Sequence, residues 1–288
     1  MPREEVLLQA AMICYVVALF AYLLRFATRA SQAGALGTLA AWLGVLAQTT
    51  MLVTRGFETG RLPLISMYEY LTAFSWTVAL TYLVFERRAG TAEGVQAAGA
   101  PALALALALL GYAATLPVNL KQPEALMPVL KSDWLIFHVG VAVIGYGAAG
   151  LASALALLYF LSYLSRRVNP GAKWLVGRLP SEASLDRSIY HAIRFAFPFL
   201  TLVNVTGAIW AYNAWGRYWG WDPKETWSLI TWMIYTFYLH ARLRAGWTPP
   251  RRNLVVLVGI AAILVTFLGV NKLGAYTDSL HAYSMPGQ

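Results

Sequence analysis

Apolar residues run almost unbroken through eight stretches, at about 6–24, 33–54, 68–85, 102–116, 135–164, 191–212, 223–241 and 253–270, and the charged residues collect between them. A helix needs roughly 20 apolar residues to cross a bilayer, and only helices or closed barrels satisfy their backbone there. The pattern predicts an all-α polytopic membrane protein of about eight transmembrane helices, one integral membrane domain over residues 1–288. The fourth stretch is short if counted from Pro101, and the fifth is long enough to tilt or protrude. Three connections stand out: a basic loop at 165–190 that suits an amphipathic surface segment, a tryptophan-rich loop at 213–225, and a tail at 271–288.

Composition agrees with the pattern. Hydrophobic residues make up 59% of the chain and charged residues 12%, against about a quarter charged in soluble domains. Lys and Arg in the connections set the orientation. With the N-terminus outside, the inner connections hold 14 cations (Arg25, Arg29, Arg87, Arg88, Arg166, Arg167, Lys173, Arg178, Arg187, Arg194, Arg242, Arg244, Arg251, Arg252) and the outer ones 8 (Arg3, Arg55, Arg61, Lys121, Lys131, Arg217, Lys224, Lys272). Both termini and the tryptophan loop are therefore expected on the outer, periplasmic side. This asymmetry accounts for the net charge of +9; inner basic loops meet anionic lipid headgroups, and no nucleic-acid motif accompanies them. Glu4 and Glu5 precede the first stretch and the basic residues follow it, the reverse of a cleaved leader. Cys14 is the single cysteine; without CxxC or CxxCH the chain is neither a thiol-redox protein nor a c-type cytochrome.

The densest chemistry lies at 215–225, Trp-Gly-Arg-Tyr-Trp-Gly-Trp-Asp-Pro-Lys-Glu. Asp222, Pro223 and Glu225 have the residue types and spacing of a helix start. Trp215, Trp219 and Trp221 on so short a connection are expected to form a flat apolar platform for a large planar ligand. Interfacial belts also collect tryptophan, but six of the eleven fall between Trp210 and Trp232, which favours a site. Ser66 to Glu69 reads as a capping box, so helix initiation accounts for Glu69. Arg55 and Arg61 read either as surface charges or as partners of a ligand's acidic groups.

There are four histidines, and depth separates them. His138 follows Asp133, a cap for the fifth helix, by about five residues or ~7.5 Å, and Trp134 shares its helical face. His281 lies in the outer tail. His240 is 18 residues beyond Asp222, about 27 Å inward, too far to share an iron with either, because a metal–imidazole bond spans about 2 Å. His240 is thus structural or belongs to a second site. His191, flanked by Arg187 and Arg194 at the inner face, reads first as an interfacial polar group.

Residues 215–227, Trp-Gly-x-x-Trp-x-Trp-Asp-Pro-Lys-Glu-Thr-Trp, resemble the tryptophan-rich "WWD" signature of haem-handling proteins. The continuation through Ser-Leu-Ile-Thr-Trp-Met-Ile-Tyr to His240-Ala241-Arg242, the approach from Phe197-Pro198-Phe199 to Gly207-Ala208-Ile209-Trp210-Ala211, and the tail Leu280-His281-Ala282-Tyr283 are similar to the CcsA/ResC type of cytochrome c biogenesis proteins. Eight stretches with the signature between the sixth and seventh favour that type over six-span and much longer relatives. The resemblance implies haem b held without covalent bonds, its iron between His138 and His281 at the outer side. Around it would stand Trp134, Trp215, Gly216, Arg217, Trp219, Trp221 and Asp222. It also implies a second haem deeper in the membrane on His240, with the other ligand from a CcsB/ResB-type partner or from His191. Propionates would seek Arg217, Lys224, Arg55 or Arg61. The implied activity is haem movement across the membrane and its covalent attachment to CxxCH motifs of apocytochrome c, the chain being the haem-handling subunit of a cytochrome c synthase. Thiol-reducing proteins and membrane lipids complete the expected partners. The expected location is the bacterial plasma membrane, with the thylakoid second. The competing reading is a non-haem transporter or an assembly scaffold that docks through the tryptophan loop; a transporter favours inverted repeats, and no convincing repeat is seen.

Overall fold

The computed structural model describes residues 2–89, 97–122, 132–168, 171 and 173–270. The described residues are helical throughout, with eight principal helices: α1 (Pro2–Thr28), α2 (Ser31–Thr59), α3 (Met67–Ala89), α4 (Gly99–Thr115), α5 (Asp133–Val168), α6 (Glu182–Trp215), α7 (Pro223–Leu243) and α8 (Pro249–Leu264). A π-helical turn, Val265–Gly269, extends α8, and four-residue helices lie at Val118–Lys121 and Lys173–Val176. Each apolar stretch falls on one principal helix. Five of them (α1, α2, α5, α6 and α8 with its extension) are long and apolar enough to cross a membrane. The protein is a helical membrane protein.

α5 is the axis of the bundle. At 36 residues it is the longest helix, and its apolar window is 89% buried. A helix apolar on every side belongs inside, and the Gly and Ala content of α5 lets neighbours approach closely. α6 packs along it most extensively; α3, α4 and α8 cover its other faces, and α1 pairs with α2.

Two buried ionic hubs staple opposite ends. At one end Arg55 of α2, 2% exposed, donates to Glu69 of α3 (2.8 Å), Glu4 of α1 (2.9 Å) and the carbonyl of Lys121 (2.8 Å). Glu69 also accepts from Arg61 (2.8 Å) and from the backbone N–H of Ile65 and Ser66. At the other end Asp186 of α6 accepts from Arg242 of α7 (2.8 Å) and from Arg252 (2.6 Å) and Asn253 (3.1 Å) of α8. Ion pairs of this kind satisfy charges that could not be buried alone. They also show that successive helices alternate in direction. On the Asp186 side, Glu86 is buried and accepts from Tyr22, Tyr82 and Thr38.

Arg55 and Arg61, read from the sequence as surface charges or as partners of a ligand's acidic groups, both pair with Glu69, and Arg55 is buried. Within 165–190, α5 runs on to Val168, a four-residue helix lies at Lys173–Val176, and α6 starts at Glu182, capped by Ser181. His191 therefore lies nine residues inside α6 rather than at its start.

Candidate functional site

At the Arg55 end of the bundle a cavity opens between the starts of α3, α5 and α7, the end of α6 and the π-turn after α8. Its space between side chains is about 1160 Å³, open mouth included. The periodicity of two helices supplies the long walls. On α5, Leu135, His138, Val139, Ala142, Val143 and Tyr146 recur at three- and four-residue intervals; on α6, Val203, Asn204, Gly207, Ala208 and Trp210 do the same. Tyr70, Tyr218, Trp219 and Phe267 bring the aromatic lining to six residues with Tyr146 and Trp210. Phe267 sits against Tyr70, Phe74 and Tyr146, presented by a π-turn of the sort that often marks a functional site.

His138 lines this cavity, and α6 fixes its ring. The imidazole stacks on Trp210 at 6.4 Å between centroids and 13° between planes. Trp210, 3% exposed, is backed edge-on by Trp215 at 4.9 Å. Nδ1 lies 3.3 Å from the Thr206 hydroxyl, whose own proton goes to the Leu202 carbonyl at 2.6 Å. The hydroxyl is then an acceptor for Nδ1–H, an assignment that makes Nε2 the basic nitrogen. Such a second hydrogen bond is how proteins set the tautomer of a metal-binding imidazole. Gly207 makes room for the ring: a Cβ there would meet His138 Cε1 at 2.9 Å.

The tryptophan loop closes the top. α6 ends at Gly216 with φ 73°, a left-handed C-cap natural to glycine. α7 begins with the expected capping box: Lys224 N–H donates to Asp222, and Glu225 Oε2 accepts from Asp222 N–H (3.2 Å). Glu225 also accepts from Gly220 N–H at 2.7 Å, so one carboxylate holds both the helix start and the loop. Trp221 takes a positive φ of 57°.

The indoles do not form one flat platform. Trp219 and Trp221 meet at 88°, Trp210 and Trp215 at 67°, the edge-to-face geometry that aromatic pairs favour over a flat array. Among the predicted residues, the structure brings His138 and Trp219 to the cavity, with Trp215 behind Trp210. Asp222 is spent on capping and Gly216 on the turn. Trp221 is 70% exposed, edge-on to Trp219, and does not line the cavity. Trp134 is exposed against Phe137 and does not line the cavity. Arg217 is exposed, its guanidinium against Gly220. His240 and His191 are exposed on α7 and α6. His281 lies outside the described residues. Sequence reading missed Thr206, Gly207, Tyr70, Tyr146 and Phe267, which look like ordinary core or small-residue positions. The one signal was their helical phase: Thr206 and Gly207 stand four and three residues before Trp210.

Among the described residues no three His, Cys, Asp or Glu side chains gather to hold a bare metal ion. A single imidazole in an aromatic cavity suits a metal that brings its own equatorial ligands.

The family model described as "Cytochrome C assembly protein" matches residues 64–276. A cytochrome c biogenesis protein CcsA from Synechococcus elongatus is 32% identical, covering 86% of this chain and 87% of its own. That of Parasynechococcus marenigrum is 37% identical with 84% of each covered, and that of Guillardia theta is 33% identical with 84% and 83% covered. The chain belongs to the cytochrome c assembly protein family and is of its CcsA type. Among solved structures, a cytochrome c haem lyase CcmF shares the fold with a TM-score of 0.66 at 20% identity. This chain spans 92% of itself and 46% of that longer chain in the match.

Proposed function

We propose that this protein holds haem b at the outer face of a bacterial plasma membrane and presents it for covalent attachment to the CxxCH motifs of apocytochrome c, together with a CcsB/ResB-type partner. The observation that carries the reading is His138, its tautomer set by Thr206, standing in an aromatic cavity under the WWD loop. Family membership and the CcsA relatives support the pathway. In this reading the eight principal helices all cross the membrane. The start of α1, the tryptophan loop and the end of α8 lie on the outer side, as the basic inner loops require.

Haem is here the cargo, supplying the vinyl carbons to which cysteine thiols add. His138 Nε2 would be one ligand to the iron and His281, which lies outside the described residues, the other; two neutral imidazoles would shield the iron from water. Trp210 and Thr206 keep the His138 ring in place, and the aromatic walls exclude water from the macrocycle. The protein's share of the chemistry is binding and orientation rather than acid–base work; Asp222 and Glu225 are held by the capping box. A second haem on the inner half uses His240. Its second ligand would come from the partner or from His191; both histidines are exposed.

The test is the absorption spectrum of detergent-purified protein, with and without the partner. Wild type should carry haem with bis-imidazole bands, and His138→Ala or His281→Ala should abolish them. Wild type without haem, or both variants with intact bands, would overturn the reading. A docking scaffold, by contrast, would keep its function after both replacements.

A further inference from the structure

α6 shows one face to the bundle and another to its surroundings. Leu185, Ile189, Ala192, Ala196 and Leu200 turn inward, while Phe195, Leu202 and Val205 are exposed on the opposite side. At the Asp186 end the exposed face becomes basic. Arg187, His191 and Arg194 stand there at i, i+4 and i+7, all three exposed, in one stripe. A hydrocarbon core of roughly 30 Å takes about 20 residues of helix. Counted back from Trp215, the residue type of a membrane interface, that length ends near Phe195. The stripe therefore begins where lipid headgroups begin, and it runs about 10 Å through them.

Most cations at this end are spent within the fold. Arg242 and Arg252 hold Asp186, and Arg167 pairs with Glu182. Arg29, Arg166 and Arg178 donate to backbone carbonyls. The stripe is different. Among the described residues, Arg187, His191 and Arg194 make no hydrogen bond or ion pair. Arg194 lies over the Tyr190 ring at 5.9 Å, and the His191 ring is tilted against the same tyrosine. The carboxylates of this helix end, Glu182 and Asp186, are already engaged.

We infer that Arg187, His191 and Arg194 form a binding site for the headgroup phosphate of an anionic phospholipid. Guanidinium forks match phosphate oxygens, the imidazole N–H between them is a third donor, and the acyl chains lie along Phe195, Leu202 and Val205. Net negative charge selects such a lipid over a zwitterionic one. The site is separate from the cavity and requires only that α6 cross the membrane. Within the haem reading, an engaged His191 leaves the second inner ligand to the partner.

The test titrates the full-length protein in detergent with phosphatidylglycerol or phosphatidylcholine of identical chains, bound lipid being counted by native mass spectrometry. Wild type should bind phosphatidylglycerol about tenfold or more tightly than phosphatidylcholine. Arg187→Gln/Arg194→Gln should lose most of that preference, and His191→Ala part of it. Arg87→Gln/Arg88→Gln removes the same charge from exposed positions at the end of α3 and should keep it. Inorganic phosphate should not displace the lipid. If the stripe double variant does not fold, His191→Ala against the α3 control decides. An undiminished preference in either stripe variant, an equal loss in the α3 control, or displacement by inorganic phosphate overturns the inference. So does a wild type without preference, which would leave the stripe to an acidic partner chain.

Discussion

A methyl group at position 207 would sit 2.9 Å from Cε1 of His138, inside any normal carbon contact, so Gly207→Ala must push the imidazole off Trp210. It should shift the iron bands and lower haem content several-fold with the helix otherwise intact, as read by visible and far-ultraviolet spectra. Thr206→Val is nearly isosteric and removes the acceptor that fixes Nδ1–H; losing such an outer partner typically costs 10–100-fold in affinity. Thr206→Ser should retain the bands and Thr206→Val should not. His138 was legible because histidine is rare here and stood one turn from an expected helix start. Thr206 and Gly207 were not, because their roles depend on a neighbour 68 residues away in sequence.

At the scale of elements, the buried hub around Glu69 and the exposed Arg167–Glu182 pair make contrasting predictions. Glu69→Ala takes the shared carboxylate from Arg55 and Arg61, leaving Arg55 only Glu4 and the Lys121 carbonyl, and leaves two backbone N–H groups without their acceptor. Breaking a buried pair costs about 3–5 kcal/mol, so thermal unfolding in detergent should drop sharply. Arg167→Ala, which removes an ion pair whose arginine side chain is 51% exposed, should leave stability almost unchanged, because solvent screens such a pair. The same assay on both variants checks the contrast. Helix positions followed from apolar run length, and the start of α7 from Asp222, Pro223 and Glu225, since caps are local signals. The angles between the indoles were not legible, because ring packing is settled by tertiary contacts. Nor was the early start of α6, where Ser181 and Glu182 form a helix beginning ahead of the apolar run.

For the whole molecule, alternating helices place the cavity and the Asp186 hub at opposite ends. In a Cys14→Ala background, Arg217→Cys should react with a membrane-impermeant maleimide in intact cells. Ala183→Cys should react only after permeabilisation; the reverse pattern would invert the orientation derived from the basic loops. The central claim is that His138 ligates haem iron instead of merely filling space beside Trp210. The most direct measurement is the visible spectrum of purified His138→Gly protein reconstituted with haem, before and after imidazole is added to the buffer. The account predicts bis-imidazole bands that vanish with the ring and return with free imidazole in the space it left. Bands unchanged by the substitution, or a loss that added imidazole does not reverse while the protein stays folded and haem-loaded, would contradict it.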